Sequence, residues 1–349
     1  MMTDKLPQRL ADHPTVRAVR ERKAVGTSTP PAVLDAAWLR ELCLEAGADD
    51  VAFASVDNPA LASEREHVEH ALPGVRSYIS LVVKMNRDNV RSPARSVANQ
   101  EFHRTGEVIN EAAHRITRTL QDAGYRALNP SATFPMEMDR YPGRIWVVAH
   151  KPVAVASGLG VMGIHRNVIH PRFGNFILLA TIMVAEEISE YGAPLDYSPC
   201  LECKLCVAAC PVGAIKKDGQ FDFVACSVHN YREFMGGFTD WAQTVADSAD
   251  ADEFRSRVSD SENASMWQSL SFKANYKAAY CLAVCPAGEE VIEPYLEDRK
   301  GFVKLVLKPL QDKEETLYVL PDSDAKEFAE RRYPHKPVKI VDSGIRGRR

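Results

Sequence analysis

A chain of 349 residues with 45% hydrophobic content is long enough for one large domain or two modest ones, each with a buried core. Its net charge of −4 gives no broad cationic field, which excludes nucleic acid as a bulk partner and leaves only a local patch for transfer RNA. Eight cysteines behind a polar N-terminal segment with no apolar run of signal-peptide length exclude a secreted disulfide framework; a cytoplasmic protein with metal-binding thiols is expected.

Residues 1–30 read as a flexible N-terminal tail ending in Pro30 and Pro31. Beyond it, helix-like and strand-like segments alternate: a helix over 33–46, a strand over 51–55 and a β-branched strand over 78–84. Between 107 and 123, Val108, Ala112, Ile116 and Leu120 recur every fourth position, which predicts one face of a helix. A short strand is expected over 125–128, and 144–156 fits strand or helix. Residues 175–187 read as a long buried strand; their most apolar stretch is about half the length a membrane span needs, so no membrane partner is expected. Residues 31–195 therefore form an α+β layer. The cysteine module follows over 196–299, interrupted by a polar helical stretch at 240–268. A C-terminal extension, 300–349, carries short strands at 302–307, 316–320 and 338–341 around a helix at 325–332, then a solvated tail.

Seven of the eight cysteines fall between Cys200 and Cys285. Cys200-x2-Cys203-x2-Cys206-x3-Cys210-Pro211 has the spacing of bacterial ferredoxins, where three close thiolates wrap one cubane and the fourth reaches the neighbouring cluster. Zinc would be expected on paired C-x2-C knuckles set further apart. The second motif, Cys281-x3-Cys285-Pro286, has Ala278 where an earlier cysteine belongs, and Cys226 adds a thiolate from upstream. By the crossed rule, one 4Fe-4S cluster takes Cys200, Cys203, Cys206 and Cys285. The other takes Cys210, Cys226 and Cys281 and lacks a fourth ligand. Three completions stand open: a non-cysteine ligand such as His229, a three-iron cluster, or a lost site. Cys43, on the apolar face Leu39, Leu42, Cys43, Ala46, reads as a core thiol.

Ser157-Gly158-Leu159-Gly160-Val161-Met162-Gly163, followed by Asn167-Val168-Ile169-His170-Pro171-Arg172-Phe173-Gly174, resembles the superfamily of epoxyqueuosine reductases and cobalamin-dependent reductive dehalogenases. The resemblance covers roughly residues 33–300. It implies a nitroreductase-like α/β sandwich that binds a corrinoid, followed by a ferredoxin-like dicluster 4Fe-4S module. It also implies cobalamin between the two, with no histidine on cobalt because D-x-H-x-x-G is absent. Ser157, Gly158, Leu159, Gly160, Gly163, His170, Pro171 and Gly174 match the positions that would hold it, through backbone amides that glycine lets a ligand approach.

In the same superfamily a D-x-x-P segment shortly before the glycine string holds an acid, which points to Asp139 in Asp139-Arg140-Tyr141-Pro142. The interval to Ser157 is several residues longer here. Dehalogenases use a tyrosine made acidic by a nearby cation, a role that suits Tyr141 between Arg140 and Arg144. His165 or His170 is a candidate cofactor contact. The sequence reading ranks dehalogenase-like reduction of a small organic substrate first, epoxyqueuosine reduction on tRNA second, and a ferredoxin-like carrier without corrinoid third. No flavin or nicotinamide fingerprint is visible, so an external ferredoxin or flavodoxin is the expected electron donor.

Overall fold

The computed structural model describes residues 7–24, 31–139, 144–277 and 279–341. In chain order the elements that position the site begin with helix α1 (Ala36–Glu45), strand β1 (Asp50–Ser55), helix α2 (Arg65–Ala71) and strand β2 (Ser77–Lys84). Helix α3 (Arg95–Asp122), strand β3 (Ala127–Leu128) and helix α4 (His150–Ala156) follow. Two short strands, β4 (Val161–Met162) and β5 (Val168–Ile169), precede strand β6 (Ile177–Val184).

Strands β1, β2, β6 and β3 form one sheet in that order, with every neighbouring pair antiparallel. Its faces separate by the period-two alternation of a strand. Ile79, Leu81 and Val83 of β2 face α1 and α3, packing with Leu39, Cys43, Ile109, Ile116 and Leu120. Tyr78 faces the opposite side, with Val68 and Val153 of α2 and α4. Helices thus cover both faces of a sheet whose two central strands are almost wholly buried, and each fully buried Leu or Ile contributes about 1.5–3 kcal/mol.

Helix α1 starts at Ala36 because Asp35 caps it, its carboxylate accepting the Trp38 amide at 2.7 Å. Val33–Leu34 instead pairs in parallel with Glu187–Ile188. On α3 the buried stripe runs through Ile109, Ala113, Ile116 and Leu120, while Val108 is 43% exposed. A strict every-fourth row drifts across a 3.6-residue helix, so only its later members reach the core. The segment 144–156 resolves as helix at its C-terminal half. Within the expected tail, Pro14–Ala24 is helical.

The cysteine-bearing unit is helical: α5 (Leu205–Ala209), α6 (Phe223–Asn230), α7 (Gly236–Asp247), α8 (Ala251–Arg257), α9 (Asp260–Ser271) and α10 (Tyr280–Ala283). Residues 302–307, expected as a strand, lie instead in a helical run from Arg299 to Asp312 that includes one wide π turn. Phe302, Leu307 and Leu310 are buried while Leu305 is 76% exposed, the burial pattern of a helix and not of a strand. Strands β7 (Leu317–Val319) and β8 (Val338–Ile340) pair in parallel across helix α11 (Asp324–Arg332). Phe302, Leu310, Leu317 and Tyr333 share one hydrophobic cluster with Cys206, Cys210 and Val212, so the C-terminal segment completes the core of the cysteine unit. The final arginine-rich residues, 342–349, lie outside the described residues. Among the described residues no helix is long and apolar enough to cross a membrane.

Candidate iron–sulfur centres

The chain between Cys200 and Cys206 turns through Glu202 and Lys204, both in left-handed backbone conformation at φ 47° and 61°. Non-glycine residues adopt this region only where the surroundings enforce it, and here two such turns wind three thiols around one space. Cys200, Cys203, Cys206 and Cys285 line a common small cavity, closed from the first unit by Ile164 and His165. Cys285 senses each of the other three electrostatically. Cys206 is pushed up to about 12, by burial first and then by Cys281, Cys203 and Cys200.

A second group forms at the other end of α5. Cys226 senses Cys281 and Cys210, and Cys281 senses Cys210. Burial alone dominates the upward displacement of Cys210, against which the amides of Ile215, Val212, Ala214 and Gly213 converge on its sulfur. The Ala214 amide lies 3.2 Å from it. Such N–H···S bonds favour the thiolate. Burial otherwise keeps these thiols protonated in the metal-free chain, so iron would displace protons as it binds. Among the described residues no three His, Cys, Asp or Glu side chains close on one point as the ligands of a single ion do. Thiolates of a cubane stand further apart, at the corners of a cage.

The first unit contributes one cation to each group. Arg91 senses Cys285; it donates to the Ala283 carbonyl at 3.2 Å, and its guanidinium covers the rings of Phe176 and Phe302 at 5.2 Å each. Lys151, displaced downward by burial and back upward by Cys281 and Cys226, donates to the Arg166 carbonyl at 2.8 Å and to Asn167 Oδ1 at 3.0 Å. The Asn167 side-chain nitrogen lies 3.6 Å from Cys281 Sγ. Tyr231 lies half-buried near Cys226 and Cys281. Arg91, Lys151 and Asn167 carry no motif, and nothing in the sequence singles them out.

The histidines are engaged structurally. His229 is buried; its Nε2 lies 3.4 Å from the Tyr280 hydroxyl and its Nδ1 accepts the Tyr318 amide at 3.4 Å, so neither nitrogen faces a thiol. Burial pushes it down to about 4. His165 Nδ1 accepts the Asn167 amide at 3.1 Å, and its Nε2 lies 3.2 Å from Asn175 Nδ2. His170 Nδ1 accepts the Arg172 and Phe173 amides at 3.2 and 3.3 Å, leaving Nε2 to donate to Asp50 Oδ2 at 3.0 Å. Burial drives the Asp50 carboxyl up, but the His170 and Val51 hydrogen bonds outweigh it and hold the group below the usual carboxylate range.

The glycine string closes on its own chain. A Cβ at Gly158 would stand 2.4 Å from the Ala193 carbonyl, at Gly160 2.5 Å from the Ile169 carbonyl, and at Gly174 2.1 Å from the Ala287 carbonyl. At Gly163 it would meet the Ile169 and His165 side chains. The amides of Ser157, Gly158 and Leu159 return to the end of α4, that of Gly163 goes to Asn167, and those of His170 and Gly174 pair across the turn. Leu159 is buried, and the Pro171 carbonyl accepts the Glu289 amide at 2.9 Å. In this fold these glycines let one stretch of chain approach another closely. A cavity of about 570 Å³ lies between α1 and β1, lined by Ala36, Arg40, Glu41, Phe53, Ser157 and Gly192. No cysteine lines it.

Of the two candidate acids, Asp139 is exposed on the loop before α4, its amide donating to Glu137 Oε1 at 3.2 Å. Tyr141 lies outside the described residues. Arg144, the cation expected beside it, is ion-paired with the buried Glu64 and donates to the Trp146 carbonyl at 2.8 Å.

Residues 193–216, which hold the first four cysteines, match the 4Fe-4S binding domain family. That module marks an iron–sulfur segment, and the curated relatives that this chain is similar to are epoxyqueuosine reductases. The epoxyqueuosine reductase of Synechococcus sp. (strain RCC307) is 27% identical over 170 residues, 46% of this chain and 48% of that protein. That of Cellulophaga algicola (strain DSM 14237 / IC166 / ACAM 630) is 32% identical over 118 residues, 30% of this chain and 38% of that protein. The chain thus spans about half the length of the first of these relatives, 48%, and less of the second. Among solved structures, the epoxyqueuosine reductase from Streptococcus thermophilus is 15% identical over 85% of this chain and 80% of that chain, with a TM-score of 0.42. A likeness at that score bears no argument about the site.

Proposed function

We propose that this chain is an iron–sulfur reductase of the epoxyqueuosine type, passing electrons from two 4Fe-4S clusters to an epoxide-bearing modified nucleoside of tRNA. The observation that carries the reading is the sorting of seven thiols into two groups, each met by one cation from the first unit. Cys200, Cys203, Cys206 and Cys285 would hold one cluster, and Cys210, Cys226 and Cys281 the other. The clusters supply single electrons, and removing an epoxide oxygen as water consumes two electrons and two protons. Arg91 and Lys151 offset the negative charge of the reduced centres. Asp139 is the proposed proton donor, in keeping with its exposed place on the loop before α4. An external ferredoxin or flavodoxin is the proposed source of electrons.

The ranking drawn from the sequence is reversed here. The matching curated relatives, five in number, are each named epoxyqueuosine reductase, whereas the dehalogenase-like reading has support only from solved structures such as one at TM-score 0.40. Cobalamin, expected from the resemblance, would have to lie outside the closed glycine string. The test is anaerobic incubation of the iron-loaded chain with reductant and tRNA carrying epoxyqueuosine, with nucleosides then identified by mass spectrometry. Conversion to queuosine supports the reading. Clusters that reduce and reoxidise while every tRNA nucleoside stays unchanged favour the carrier, and cobalt analysis of the same sample decides the corrinoid.

A further inference from the structure

Cys210, Cys226 and Cys281 stand together without a fourth sulfur of their own, because Cys206, which also senses Cys281, lines the cavity shared with Cys200, Cys203 and Cys285. The position three residues before Cys281 is Ala278, and the remaining cysteine, Cys43, is fully buried between α1 and the sheet in the core of the first unit. The neighbouring polar groups are otherwise committed. His229 has both ring nitrogens turned to Tyr280 and Tyr318. Lys151 donates protons to two oxygens, so its nitrogen has no lone pair to offer iron. Asp222 places one carboxylate oxygen on the Ala225 amide as the cap of α6.

We infer that the second centre is a cluster held by three cysteines only, with one iron lacking a protein ligand and open to a small exchangeable one. This rests on the proposed function only in taking the chain to hold two iron–sulfur clusters. A metal whose protein ligands fill every position is structural, whereas one with a vacant position is where an outside molecule enters. The surroundings define the class of that molecule. Lys151 is a cation beside two of the three thiols, anchored to the Arg166 carbonyl and Asn167, and Asn167 sets an amide at their edge. A compact anion or oxygen donor would be drawn there by that charge and amide. On the other side Tyr231, Tyr276 and Phe234 pack ring against ring at 5.0–5.7 Å, an apolar wall that gives no competing ligand.

The experiment takes the anaerobically reconstituted full chain, counts iron and sulfide, and records low-temperature paramagnetic resonance before and after ferricyanide and with cyanide as probe. The expected result is about eight irons per chain, two cubanes. Ferricyanide should remove about one of them with appearance of a three-iron signal, and cyanide should change the spectrum of one cluster alone. In Ala278→Cys the iron should stay at about eight through the same oxidation, with no response to cyanide. If that variant does not fold, the wild-type iron loss and cyanide response decide alone. About four irons, with the first cluster intact, would overturn the inference and leave the proposed reductase standing. About eight irons that resist both reagents would also overturn it, by showing that a protein group such as Asp222 closes the cluster. Zinc, or no metal, would sink the proposed function itself.

Discussion

Asn167 and Cys281, 114 positions apart in the chain, meet where the side-chain nitrogen of one lies 3.6 Å from the sulfur of the other. This contact ties the loop between β4 and β5 to the second thiol group, and the same asparagine holds Lys151 through its oxygen at 3.0 Å. A donor on a cluster sulfur stabilises the reduced state, because reduction adds negative charge to the sulfurs. Asn167→Ala should therefore lower the reduction potential of the second cluster by on the order of tens of millivolts and leave the first in place. Potentiometric titration followed by paramagnetic resonance resolves the two. Equal movement of both potentials would show that the variant disturbs the module as a whole.

The two cations predict a second separation. Lys151 senses Cys281 and Cys226, while Arg91 senses Cys285. Loss of either charge should make reduction harder at its own centre, so Lys151→Met lowers the second potential and Arg91→Met the first. Arg91→Met also removes two guanidinium–ring contacts at 5.2 Å, a stability cost of about 1–2 kcal/mol visible in a denaturant melt. Lys151→Met acting on the first cluster would contradict the assignment of thiols to groups.

How far the sequence carries can be read from individual residues. The thiol spacing is a local property, legible without the fold, and Cys200, Cys203, Cys206 and Cys285 line one cavity. Ile116 and Leu120 are likewise legible, because the buried face of a helix follows a short-range pattern, whereas the start of the helix read over 33–46 falls at Ala36. Phe302–Leu307 misleads because a short apolar run fits a buried strand and a buried helix equally until its flanks are known. The glycine string is legible as a motif but not in its contacts. Its glycines answer to Ala193, Ile169 and Ala287, carbonyls whose approach only the tertiary fold determines. For the same reason Arg91, Lys151 and Asn167 are silent in the sequence: each is one polar residue among many until the two units dock.

Gly174 tests that docking. Its φ is 66°, and an added Cβ would stand 2.1 Å from the Ala287 carbonyl, two residues beyond Cys285. Backbone cannot yield as a flexible side chain can, so Gly174→Ala combines left-handed strain with a clash and should cost about 2–3 kcal/mol. The displaced segment carries Cys285, so the iron bound by the first group should fall with it. Full iron content in a destabilised variant would show that the turn supports the fold alone and leaves the thiols in register.

His150 predicts an acid dependence that owes nothing to iron. Its Nδ1 lies 3.0 Å from the Thr181 hydroxyl and its Nε2 3.3 Å from the Ser131 carbonyl, inside a site whose burial lowers it from the ordinary 6.5 to about 4. Below about pH 6.5 the unfolded chain takes up a proton that the folded chain refuses, so folding weakens as pH falls towards 4; below that both states are protonated and this loss ends. The full displacement corresponds to at most about 3 kcal/mol, and about 2 kcal/mol of it should be lost by pH 5. His150→Gln, which keeps a neutral donor and acceptor, should remove this share. His165 and His229 are displaced to about 4 as well, so the acid slope should fall by about one third and not vanish. Anaerobic urea melts of both proteins at pH 7 and pH 5 give the comparison. Melting free energies that fall in parallel would place the acid sensitivity elsewhere in the molecule.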